Sequence, residues 1–143
     1  MGIKSQIAID PLINQYIQIE NELFNCTFFD NFKVYDTPAE MLVEELVDNV
    51  DGYIICRNTI DHSEDPFSIL NVISKYAKKG CYFLFWCDIW HINGGDTGHH
   101  CITHSNEVMD NFLNALGFEK IITMNSIRDS KQFIDYGGVF IKK

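Results

Sequence analysis

The residues best suited to chemistry follow the two most apolar runs of the 143-residue chain. The first run, Tyr53-Ile54-Ile55-Cys56, leads into Arg57-Asn58-Thr59-Ile60-Asp61-His62-Ser63-Glu64-Asp65-Pro66, which places a guanidinium, an amide, an imidazole and carboxylates after one buried strand. Ligands of open α/β sheets collect at the carboxyl ends of strands, so Arg57 and Asn58 are candidate binding groups. His62 is a candidate for orienting a substrate or moving a proton, although capping the loop through its ring is the favoured reading. The second run, Tyr82 to Cys87, ends in Asp88-Ile89-Trp90-His91. Trp90 is a candidate to line a substrate cleft, whereas Trp86 is expected to be buried.

Beyond that strand, His91, His99, His100, Cys101 and His104 fall in one glycine-rich loop. Imidazole and thiolate are the usual zinc ligands, which keeps a metal-dependent enzyme open as an alternative. No C-x-x-C pair accompanies them, and His99 and His100 would point apart in an extended chain, so no metal is assigned. Two carboxylates complete the set. Asp10 ends the run Ser5 to Asp10 just before Pro11, and Asp36 ends Phe32 to Asp36 just before Thr37-Pro38. Asp10 could equally bind a ligand or serve its turn, whereas for Asp36 favouring the helix start is the preferred reading.

The elements that would position these groups are legible from periodicity. Leu12, Ile13, Tyr16, Ile17, Leu23 and Phe24 recur at helical spacing. Thr37-Pro38-Ala39-Glu40 reads as an N-cap, a first-turn proline and a capping-box glutamate, opening a second helix with Leu42, Val43, Leu46 and Val47 inward. Asp65 caps a third helix with Pro66 at its first position, Ile69, Leu70, Val72, Ile73 and Tyr76 on one face, and Gly80 as its stop. Ser105 opens a fourth, with Val108, Met109, Phe112, Leu113 and Leu116 inward and Gly117 at its end. Lys120 to Met124 and Val139 to Ile141 read as a closing antiparallel pair. Alternating strands and helices predict an α/β fold, a doubly wound and mostly parallel sheet in a single domain spanning 1–143.

Composition narrows the function. A formal net charge of −9 with 11 scattered Lys and Arg excludes a phosphate-backbone partner, so no nucleic acid and no anionic membrane surface is expected. No apolar run approaches the roughly 20 residues that span a bilayer, and no signal-peptide order opens the chain; the default location is cytoplasmic. The five cysteines lie mostly in apolar runs and read as reduced core thiols.

Element order, the closing strand pair and the wording at strand ends resemble a class I S-adenosylmethionine-dependent methyltransferase of the small-molecule type. The residues that carry the likeness are Ile9-Asp10-Pro11, Asp36 with Ala39-Glu40, the series Asn58, Ile60, His62, Asp65 and Pro66, and Ala115-Leu116-Gly117-Phe118. The resemblance implies that Asp10 binds the ribose of S-adenosylmethionine, that Asp36 borders adenine, and that Arg57 and Asn58 line the cofactor's amino-acid end. His62, Trp90 and His91 would then face a small-molecule methyl acceptor.

The chain departs from that family in one respect: its first strand and glycine-rich loop would lie before Ser5, and Gly2 is the sole glycine before Gly52. The expectation is therefore a truncated Rossmann-like sheet without its central strand, which would fall between the strands ending at Asp10 and Cys56. Such a gap must close by direct pairing of those strands, by a complementing chain, or by a longer polypeptide, because each unpaired buried backbone group costs about 1–3 kcal/mol. A lone chain should bind S-adenosylmethionine weakly or not at all and be catalytically silent. The alternative is a non-enzymatic interaction module that forms a homo-oligomer through an exposed strand edge.

Overall fold

The computed structural model describes residues 5–25, 28–57, 59–90, 105–124 and 133–143, with backbone alone at 88–90 and 133–135. The chain divides into two compact units, Met1–Leu42 and Val43–Lys143. In the first, β1 (Gln6–Ile9) runs parallel to β2 (Phe32–Tyr35), with Ile9 opposite Tyr35. Between them, α1 (Ile13–Ile19) continues into one wide π-helical turn, Glu20–Phe24, and stops at Asn25 in the left-handed region at φ 46°. The expected apolar face is mostly uncovered: Ile13 is buried, but Leu23 and Phe24 are each 72% exposed.

The helix expected from Thr37 does not form. Residues 39–40 make a turn, and a single 3-10 turn, Glu44–Leu46, follows. The local N-cap signal is overridden by packing. Val43 is extended, and its N–H, which a helix would donate to Ala39, instead donates to the hydroxyl of Tyr76 at 2.8 Å.

The second unit is built on a mixed sheet. β3 (Tyr53–Arg57) is parallel to β4 (Tyr82–Trp90), which pairs antiparallel with β6 (Phe133–Lys142), and β6 pairs antiparallel with β5 (Phe118–Thr123), giving the order β3-β4-β6-β5. The closing antiparallel pair is thus as expected. Among the described residues β1 has β2 as its strand neighbour, and β3 has β4.

α2 (Pro66–Tyr76) starts where its sequence says, because the Asp65 carboxylate accepts from Ser68 N–H at 3.0 Å and from Ser68 Oγ at 2.6 Å. It ends at Tyr76, and Gly80, read as its stop, turns the chain at φ 88°. α3 (Asn106–Ala115) is capped by Ser105, and Gly117 ends it at φ 83°. Met109 and Leu113 face inward as expected, whereas Val108 is exposed.

Both helices lie on one face of this sheet. Lys142 Nζ donates to Leu116 O at 2.5 Å and lies 3.2 Å from Ser74 Oγ, tying β6 to the end of α3 and to α2. Tyr136 Oη donates to Asp110 on α3 at 2.5 Å, and Lys120 Nζ lies 2.5 Å from the same carboxylate and 4.3 Å from the Tyr136 ring centre. Beneath the helices, Phe83, Phe85, Phe118 and Phe140 are almost completely buried, with Phe83 and Phe85 stacked at 5.3 Å. The opposite face carries Tyr53, Ile55, Tyr82, Leu84 and Trp86, and none of them is fully buried.

Phe83→Ala should cost about 3–5 kcal/mol in urea unfolding, since it opens a cavity among the three remaining rings. Burial, then the hydrogen bond to Asp110, raises the Tyr136 phenol above its ordinary value of 10.0. A raised folded pKa adds stability that is complete below that value and is lost as pH rises beyond it. The urea midpoint should therefore fall as pH rises above about 10, and Tyr136→Phe should make the fall shallower.

Candidate functional site

Two groups of candidate residues are placed by the fold, one in each unit. In the first unit, Asp10 and Asp36 stand at the carboxyl ends of neighbouring parallel strands, and Asp10 N–H donates to Tyr35 O at 3.2 Å. Each carboxylate also has local work. Asp10 Oδ1 accepts from Leu12 N–H at 2.7 Å across the Pro11 turn, and Asp36 Oδ2 accepts from Asn14 Nδ2 at 2.7 Å, which fastens the first turn of α1. Among the described residues the other oxygen of each makes no such bond, so the pair offers acceptors to a hydroxyl-bearing ligand. Glu40, read as a capping-box residue, caps no helix.

In the second unit, Arg57 ends β3 and stands opposite Trp86 on β4. Together with Ile55, Leu84 and Met124 they line an open cavity of about 440 Å³, with Cys56 and Phe85 contributing between them. Trp86 was expected in the core; it is only partly buried and forms a wall of this cavity. Its indole lies against Gly137 on β6. A Cβ at Gly137 would come within 2.9 Å of Trp86 Cε3 and 2.9 Å of the Phe85 carbonyl oxygen. Glycine is therefore required for the ring to lie so close to the sheet.

Asp61, passed over in the sequence, is completely buried in the 3-10 turn Ile60–His62. Its Oδ2 lies 3.4 Å from His62 Nε2, and the imidazole is about half exposed, at 47%. Burial, and then the Asp61 charge, push the Cys56 thiol up to about 12, which makes it a neutral wall and not a nucleophile. Asn58, His91 and the remaining histidines of the glycine-rich loop lie outside the described residues, as does the side chain of Trp90. Among the described residues no cluster of His, Cys, Asp and Glu could hold a metal ion. No described helix is long and apolar enough to cross a membrane.

This arrangement defines a Rossmann-like methyltransferase fold. No family model matches the chain, and no curated protein does. Among solved structures, it is similar over 99% of its length to 82% of a Listeria monocytogenes protein described as an S-adenosylmethionine-dependent methyltransferase, at TM-score 0.69 and 11% identity. It is also similar, over 96% of its length, to 60% of the Burkholderia thailandensis 1,6-didemethyltoxoflavin-N1-methyltransferase bound to S-adenosylhomocysteine, at TM-score 0.62 and 13% identity. A third likeness is to the cyclase SpnF, at TM-score 0.58 and 15% identity, of which the chain spans 45%. A fold shared by methyltransferases and a cyclase does not by itself define a reaction.

The raised Cys56 thiol has a direct consequence. Alkylation by iodoacetamide at pH 8, mapped by mass spectrometry, should be at least about a hundredfold slower at Cys56 in the native protein than in urea.

Proposed function

We propose that this chain is a domain of the S-adenosylmethionine-dependent methyltransferase type, and that residues 1–143 alone hold the cofactor weakly or not at all and transfer no methyl group unaided. The observation that supports it best is the fold, with Asp10 and Asp36 side by side at the carboxyl ends of β1 and β2. In this reading Asp10 takes the ribose hydroxyls, Asp36 borders adenine, and Arg57 with Asn58 meets the amino-acid end. His62, Trp90 and His91 face the acceptor, a small molecule. Bound S-adenosylmethionine would supply an electrophilic methyl group; the chain's share is to position reactants and exclude water.

Silence follows from the backbone. No residue between Gly2 and Gly52 is glycine, so this stretch offers no turn at which main-chain N–H groups can approach a ligand closely. A second reading, an interaction module that pairs with a complementing chain or a second copy, is favoured by β3. Its outer edge has no strand neighbour among the described residues, and Tyr53 and Ile55 are exposed along it. A cytoplasmic location accompanies either reading.

Calorimetric titration of the purified chain with S-adenosylhomocysteine tests the first reading. No saturation is expected below about 1 mM, a binding free energy near −4 kcal/mol. Micromolar binding would contradict the expected silence.

A further inference from the structure

We propose that the cavity over β3 and β4 binds a planar aromatic acid, its ring against Trp86 and its carboxylate on Arg57. Three features of the site carry this. First, Arg57 and Trp86 are direct cross-strand partners, so their side chains rise from the same face with their backbones about 5 Å apart. A ring stacked on the indole therefore holds a substituent within reach of the guanidinium. Second, Gly137 lets the indole lie down against β6, so Trp86 walls the cavity without filling it. A volume of about 440 Å³ suits one small ring compound.

Third, the charge is right for an acid and for little more. Arg57 is the charged member of the described lining; Ile55, Leu84 and Met124 are apolar, and Ile55 is 70% exposed. Cys56 is neutral for the reason given above, and the buried Asp61 does not line the cavity. On a chain of net charge −9, an anion is admitted only where a local cation meets it. One guanidinium pairs bidentately with one carboxylate, whereas a polyphosphate would need several cations. An aromatic body is favoured over an aliphatic one because the indole offers a π face in offset or edge contact.

The site stands apart from the methyltransferase-type reading: that reading gives Arg57 to the cofactor's amino-acid end, with which the acid would compete for the guanidinium. Binding needs no cofactor. Failure to bind S-adenosylhomocysteine after complementation would thus sink the reading and leave the site, while loss of acid binding would sink the site and leave the reading.

The test is titration of ¹⁵N-labelled chain, without cofactor, with 4-hydroxybenzoate, benzamide and cyclohexanecarboxylate, followed at the Trp86 indole N–H resonance assigned by its loss in Trp86→Phe. Saturable shifts are expected for 4-hydroxybenzoate, with benzamide and cyclohexanecarboxylate each several-fold weaker. Arg57→Gln, at an exposed position, should leave the thermal midpoint unchanged, weaken the aromatic acid about tenfold and leave benzamide unaffected. Gly137→Ala should weaken both aromatic ligands by displacing the indole. No saturable shift by 10 mM, roughly the weakest useful affinity, would overturn the proposal. So would equal binding of acid and amide, or an Arg57→Gln chain that binds the acid as well as the parent does.

Discussion

Everything in the larger unit depends on β4 having two unlike faces. Phe83, Phe85 and Cys87 point to the side that α2 and α3 cover and are buried completely, while Tyr82, Leu84 and Trp86 point to the other and keep contact with solvent. Strand alternation enforces this division, since successive side chains must leave opposite faces. The rings below anchor the helices. The rings above are what a ligand or partner would meet.

The polar contacts reinforce that asymmetry. Lys142 and Tyr136 leave β6 on the helix side; Tyr136 donates to Asp110 of α3 and Lys142 to Leu116 O at its end, and Lys142 also reaches Ser74 Oγ of α2, so each helix is tied to the same surface by a polar contact as well as by apolar packing. Removing water from these pairs costs free energy that the bonds offset, which favours one register of helix on sheet over others. On the open side, the strongest constraint is steric. Gly137 stands where a side chain would strike Phe85 O and the Trp86 ring, and this fixes where the indole can rest. Structure and candidate chemistry meet at that glycine.

The sequence made some of this visible and hid the rest for physical reasons. α2 and α3 were legible because Asp65 and Ser105 cap them locally and Gly80 and Gly117 end them at positive φ, all short-range effects. The helix expected after Thr37 had equally good local signals, but Tyr76 is 33 residues away from the N–H it captures at Val43. No local pattern reveals such a bond. Trp86 was misjudged because Tyr82 to Cys87 is apolar throughout, so the run says nothing of which parity faces the helices. The alternation of buried and partly exposed residues becomes informative only once the helices are known to cover one side. Asp61 gave no signal because a buried carboxylate in a polar loop reads like its exposed neighbours.

For the candidate groups, Arg57 was legible as a polar residue following an apolar strand, and Asp10 and Asp36 as acids at strand ends. Their hydrogen bonds to Leu12 and Asn14 were not, since these depend on how the chain turns after each strand. The central claim is that, among the described residues, one face of the four-stranded sheet is sealed by helices while Ile55 and Trp86 on the other keep contact with solvent. Hydroxyl-radical footprinting of the native protein tests it most directly. The account predicts rapid modification of Tyr53, Tyr82 and Trp86 with protection of Phe83, Phe85 and Phe140; protection of both sets, or the reverse pattern, would contradict it.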